Sequence, residues 1–288
     1  MKYRYKRCVW LLILAVLTLP VLAQQVKHLT VFHTNDTHSR IEPIPETSAN
    51  IHEAGRGGTV RRATFIKQMR EKDPQILLFD CGDFSQGTPY YNEFKGEVEI
   101  AMMNVMKYDA GTIGNHEFDF GMENMARLFR MADFPIVCAN YDFTGTVLEK
   151  LVKPYVVIKR NGLRIGVFGL GVKLEGLVQA DKCEGVIYND PIEIANKVAG
   201  QLKTDEKCDV VICLSHLGYR PSAGNPVADI SLIENTRNID MVLGGHSHTL
   251  LEEPVFYHNL DGKEVPVSQM GRQGVFVGRM DLLFREKQ

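Results

Sequence analysis

Apolar positions along the chain follow two rhythms, and the switches between them mark its elements. HLTVF (28–32) and QILLFD (75–80) are short apolar runs that read as strands. Between them TVRRATFIKQMREK (59–72) has helical periodicity, and VEIAMMNVMK (98–107) and MENMARLFRMA (122–132) follow the same spacing. AGTIG (110–114) and FPIVCAN (134–140) read as strands around those helices. At YVVIKRNGLRIGVFGL (155–170) the rhythm changes, because Asn161-Gly162 between two β-rich runs is a hairpin signal. Pro191 opens a helix to about Lys207, and DVVICLS (209–215) and IDMVLGG (239–245) are further strands. From Val255 onward the chain reads as consecutive antiparallel strands, with a turn at Asp261-Gly262.

Parallel strand–helix units with interspersed hairpins imply an α/β fold (an α+β sandwich): two mixed β-sheets packed face to face, with flanking helices. Polar residues cluster just past the strand ends: Asp36 and His38, Asp83, Asn115 and His116, His216, then His246 and His248. In α/β sheets ligands bind at that edge.

The first residues depart from this pattern. MKYRYKR is basic, and the sixteen or so residues after it are almost purely apolar up to Val21-Leu22-Ala23. That pattern is expected of a secretory signal over residues 1–23, which places the mature chain, residues 24–288, in the periplasm or outside the cell. An uncleaved anchor is the rival reading, but the run is short for a span of roughly twenty residues and Pro20 interrupts it. No stable membrane span is expected after cleavage. Of six cysteines, Cys8 lies in the leader; Cys183 and Cys208 are the pair that could form a disulfide in an exported protein. A formal net charge of -2 carries no signal for nucleic-acid polymers.

The candidate chemistry lies in five segments: NDTH (35–38), GDFSQG (82–87), GNHEFD (114–119), LSH (214–216) and GGHSH (244–248). Singly, each has an ordinary reading. Asp36 could make an Asx turn, Asp83 could cap a helix, and His216 could be a satisfied polar residue. Gly-Gly-His-Ser-His says more, because residues two apart at a strand end point to the same side. Together the segments hold two Asp, four His and one Asn, with His116 left over, which is too many ligands for one ion. A two-metal centre with a bridging carboxylate accommodates them, and imidazole with carboxylate suits Mn, Zn, Fe or Co. His28, His33, His52 and His258 lack glycine-flanked partners and read as structural or surface residues.

TVFHTNDTH, GGTVRRATFI, DCGDFSQGT, GNHEFDFG and LGGHSH, in this order, resemble the calcineurin-like metallophosphoesterases, and within them the catalytic domain of the 5′-nucleotidases. The resemblance runs from about residue 28 onward and implies a four-layer metallophosphoesterase fold. It implies that Asp36, His38 and His248 hold one divalent metal, that Asn115, His216 and His246 hold the other, and that Asp83 bridges them. His116 is then the non-ligand histidine beside the substrate, with Asp119 orienting it and Glu117 and Phe118 in packing or supporting roles. Physical chemistry gives the same division of labour. Two cations acidify a water between them into a hydroxide nucleophile, and a histidine beside a carboxylate protonates the leaving oxygen.

The implied substrate is a small phosphate monoester, a 5′-nucleotide first. A phosphodiester, a cyclic nucleotide or a UDP-sugar is the alternative on the same fold, and a non-catalytic metal-dependent binding module is the alternative of another class. The nucleotidases that the chain resembles carry a second, base-binding domain. The sequence runs to Gln288, where that domain would begin, which implies either a smaller or less selectively bound substrate or a separate chain that supplies the platform as a partner.

Overall fold

The computed structural model describes residues 26–222 and 224–285, so the leader read at 1–23 lies outside the described residues. In chain order come β1 (Val26–Thr34), α1 (Thr59–Lys72), β2 (Leu77–Asp80), α2 (Pro89–Phe94), α3 (Glu97–Met106), β3 (Ala110–Gly111), α4 (Gly121–Met131) and β4 (Ile136–Val137). There follow β5 (Tyr141–Asp142), β6 (Val152–Lys153), β7 (Tyr155–Arg160), β8 (Leu163–Gly171), β9 (Ile187–Tyr188), α5 (Pro191–Thr204) and β10 (Val210–His216). The order closes with α6 (Asp229–Glu234), β11 (Met241–Leu243), β12 (Val255–His258), β13 (Glu264–Ser268) and β14 (Gly278–Arg285).

Two six-stranded sheets result, ordered β14-β1-β2-β3-β4-β6 and β12-β13-β11-β10-β8-β7. In each, the central strands run parallel; β14, β12 and β7 close three of the edges antiparallel, and β6 closes the fourth parallel to β4. Alternation along the strands explains the packing. In β10, Val210, Ile212 and Leu214 face the other sheet, while Val211 and Cys213 face the helices. In β1, Leu29 and Val31 enter the inter-sheet core, and Phe32 packs with Ile66 of α1 and Ile100 of α3 beyond the sheet. The layers are therefore helix, sheet, sheet, helix, as the alternating pattern predicts, and strands covered on both faces read as continuous apolar runs. The 155–170 hairpin forms at Asn161-Gly162, both with positive φ.

Three readings are corrected. The last strand does not continue the β12–β13 hairpin. β14 crosses to the other sheet and pairs antiparallel with β1 from Val26↔Arg285 to His33↔Gly278, where Met280, Leu282 and Phe284 meet the inter-sheet core. FPIVCAN is a strand only at Ile136–Val137. Beyond it Asn140 exchanges hydrogen bonds with Gly171 of the other sheet (Nδ2 to O and N to Oδ1, both 2.8 Å), which turns the chain across the seam. Cys183 and Cys208 are both free thiols and belong to opposite outer layers, so they do not pair. The short helices α2 and α6, six residues each, carry too little periodicity to be seen beforehand.

Candidate metal centre

Because β1, β2, β3 and β10, β11 are all parallel members of their sheets, their C-terminal ends open on one rim. The five polar segments sit there. Asp36, His38 and His248 come together with ligand atoms within 4.8 Å of one another, and Asp83, His216 and His246 form a second such cluster. His246 and His248 therefore do not share a cluster, contrary to what strand alternation predicts. Both lie past the end of β11 with positive φ, 72° and 54°, which turns successive side chains to different ions' sides. Asp36, His38 and Asp83 are also left-handed, at 48°, 45° and 56°. Such conformations in non-glycine residues persist only where the surroundings over-determine them, and they concentrate at functional sites.

Backbone contacts supply that determination. Asp36 N donates to Gly82 O (2.9 Å) and His38 N to Asp83 O (3.0 Å), so the loops after β1 and β2 run side by side. His246 N donates to both Asp36 carboxylate oxygens at 3.1 and 3.0 Å, which ties the third loop to the first. Gly245 allows this approach: a Cβ there would lie 2.8 Å from Cys81 O and 3.2 Å from Asp36 Oδ2.

The side chains are arranged for cations. His216 Nδ1 lies 2.7 Å from Cys81 O, an acceptor, so its proton is on Nδ1 and Nε2 is aimed at Asp83 Oδ2, 3.1 Å away. His38 Nδ1 faces Ser85 O at 3.2 Å, and its Nε2 meets His248 Nε2 at 2.9 Å. His248 Nε2 is 3.4 Å from Asp36 Oδ1. Donors each about 2.1 Å from one ion lie about 3 Å apart when they subtend a right angle, so these separations fit shared coordination. Asn115 Oδ1 is buried without a hydrogen-bond partner, an orphan acceptor that an ion would satisfy.

Electrostatics agree. Burial opposes charge on Asp83, yet His216, His38 and His116 around it hold its carboxyl well below the usual range. Burial likewise opposes charge on His216, but Asp83 raises its pKa to about 10. A group that grips a proton this tightly between two acceptors offers the same position to a metal ion, with which the proton competes. Burial, and then His216 beside it, pushes His246 down to about 4, which keeps the imidazole neutral as a ligand must be.

His116 stands apart. Its Nδ1 lies 3.1 Å from Asp119 Oδ2, its ring is 5.4 Å from that of His38, and its side chain is 30 % exposed. Burial disfavours its charge, but the hydrogen bond to Asp119 and the charge of Asp83 outweigh that and raise its pKa. His28, His52 and His258 lie at the surface, and His33 is buried between the sheets with Nε2 on Ser268 Oγ at 3.0 Å.

A family model described as calcineurin-like phosphoesterase matches residues 29–250. The chain belongs to the calcineurin-like phosphoesterases. Among members of the family, the snake venom 5′-nucleotidase of Crotalus adamanteus is 32% identical over 90% of this chain and 46% of its own length. The solved 5′-nucleotidase precursor of Thermus thermophilus superposes with a TM-score of 0.80 at 32% identity, over 88% of this chain and 51% of that one. The calcineurin-like phosphoesterase YfkN of Bacillus subtilis gives 0.75 at 28% identity, over 91% and 87%. This chain spans about half the length of the curated 5′-nucleotidases it matches. As a calcineurin-like phosphoesterase it presents a two-metal centre, one His/Asp cluster for each divalent ion.

Of the residues that support the candidate ligands, sequence reasoning named only Glu117. Asn35 donates to Asp36 Oδ2 (2.6 Å) and to Gly271 O (2.8 Å) and accepts from Met270 N (2.8 Å). Asp229 of α6 accepts from Ser215 Oγ at 2.5 Å beside His216, and burial raises its pKa to about 7. Glu117 Oε2 accepts from Asp83 N (3.0 Å) and Gly114 N (2.6 Å), and Oε1 from Ser85 N (3.1 Å). Glu117 and Asn35 had a signal, their places inside the GNHEFD and NDTH segments; Asp229 adjoins the site only through long-range folding.

Proposed function

We propose that this protein is a metal-dependent phosphoester hydrolase that acts on a nucleotide monoester outside the cytoplasm. The observation that carries the reading is the pair of three-residue clusters with a free histidine–carboxylate pair, His116 and Asp119, beside them. The residues read as ligands are Asp36, His38 and His248 at one position, Asn115, His216 and His246 at the other, and Asp83 between them. The names of the curated relatives support a nucleotide as substrate, and the basic-then-apolar first 23 residues support export.

Divalent cations bound to such a centre acidify water and neutralise phosphate oxygens. The chain's own groups do the rest. Asp83 and Asp36 place negative charge where two cations must lie close. His116 Nδ1–H donates to Asp119, which fixes the ring and leaves Nε2 free; the same bond and the Asp83 charge favour the imidazolium form, which can protonate the leaving oxygen. After donation the neutral ring keeps its Nδ1 proton on Asp119, ready to be recharged from solvent.

Turnover of 5′-nucleotides, cyclic nucleotides and a bis-aryl phosphate, with Mn and after chelation, tests the reading together with two variants. Metal-dependent release of phosphate from 5′-nucleotides is expected. Asn115→Ala should loosen one metal, whereas His116→Ala should keep its metals and lose about 10²–10⁴-fold in turnover on a ribose ester. The loss should be smaller with p-nitrophenyl phosphate, whose leaving group needs no proton. Metal loss in His116→Ala would make it a ligand; faster turnover of diesters than of monoesters would shift the substrate class.

A further inference from the structure

His216 and His38 are oriented by their own rings, each donating from Nδ1 to a backbone carbonyl. Metal-binding histidines ordinarily need such a partner. Among the described residues, His246 and His248 have none: neither ring donates to a carbonyl, and His248 faces only the other ligands, His38 and Asp36. Both also hold left-handed backbone conformations. Something else must hold the loop that carries them.

That something is Gln269, just past the end of β13 and completely buried. Its Nε2 donates to Gly245 O at 2.8 Å, before His246. Its Oε1 accepts from Ser247 Oγ at 2.9 Å, between the two histidines, and from Thr249 N at 2.6 Å, after His248. The amide is satisfied at both ends, and its orientation is unambiguous because a carbonyl can only accept and a backbone N–H can only donate. Gly244 N to Ser268 O (2.8 Å) and Gly271 N to Thr249 O (2.9 Å) pin the same loop on either side. The next residues serve the other half of the centre: Met270 and Gly271 bond the side chain of Asn35, and Gln273 N donates to Asp36 O at 2.6 Å.

The geometry points to Gln269 as the positioning residue of the centre, one amide that sets the GGHSH loop and through it one ligand of each metal. The inference rests on the two-metal reading above. It has a signature that a ligand of a single ion lacks: His248→Ala should weaken one ion, while loss of Gln269, which coordinates neither, should weaken both.

The experiment is calorimetric titration of metal-free protein with Mn²⁺, alongside the melting temperature of the metal-free form. Wild type should take up two ions, and if it does not, the metal reading itself falls. Gln269→Met keeps the volume and removes all three bonds, so both dissociation constants should rise about 10–100-fold. Should this variant fold poorly, Ser247→Ala removes one of the three bonds to Gln269, together with the Ser247 Oγ contacts to Tyr219 N and Thr249 Oγ1, and should raise both constants by a smaller factor. Two ions bound with wild-type affinity in either folded variant, with only the melting temperature lowered, would make Gln269 a packing residue and overturn the inference. Weakening of one ion alone would overturn it too.

Discussion

Glu117 offers the sharpest test of how the centre is held. Its carboxylate is 2 % exposed and accepts three backbone N–H groups, from Asp83, Ser85 and Gly114. Those are the residue read as the bridge, its neighbour but one, and the residue preceding Asn115. Glu117→Gln keeps the volume and removes one acceptor. If the amide oxygen takes the Oε2 position, the NH₂ group confronts Ser85 N, and a buried donor left unpaired costs about 1–3 kcal/mol. The two remaining bonds lose their charge assistance, about 1 kcal/mol each. Burial and then the Asp83 charge push Glu117 up to about 7, so removing a disfavoured charge offsets part of the loss. A net cost of about 2 kcal/mol follows, which lowers Tm by roughly 4–8 °C for a chain of this size. Calorimetry on the metal-free protein at pH 8 measures it, and a Mn²⁺ titration should show weaker binding at the Asp83 cluster. An unchanged Tm with unchanged metal affinity would refute the assignment of Glu117 as the support of these loops.

Two further outcomes are expected. Burial holds the pKa of His33 down to about 3, so the unfolded chain takes up its proton first; stability is complete above about pH 6.5 and is lost as pH falls towards 3. At pH 5 the loss is about 2 kcal/mol, so in urea unfolding of metal-free protein the change in stability between pH 8 and 5 should differ between wild type and His33→Gln by about that amount, other titrating groups being common to both; equal changes would contradict it. Asp83→Asn removes the charge beside both His216 and His38, so elemental analysis should find both ions depleted, and a full load in active protein would exclude Asp83 as a bridge.

Most of the layer order could be read beforehand, because alternation along β1 and β10 is a local consequence of burial on two faces. The hairpin at Asn161-Gly162 was equally local, since both turn residues tolerate positive φ. β14 was not, because Gly278–Arg285 would satisfy either sheet and only the long-range register with β1 chooses. FPIVCAN failed for a similar reason: its apolar run promised a longer strand, but Asn140 bonds across the seam and bends it away.

The site divides the same way. Which side chains can bind a cation, and that they follow strand ends, is written in the residues themselves, since parallel strands must bring their C-terminal ends to one edge. The distribution of those side chains between two clusters came from the family resemblance and not from the local pattern, for His246 and His248 are separated by backbone torsions that strand alternation does not contain. Nor are Asp229 and Gln269 distinguishable from ordinary polar residues until the fold is known. Each acts on a ligand loop through hydrogen bonds a few ångströms long, most of them across stretches of chain that only tertiary packing brings together.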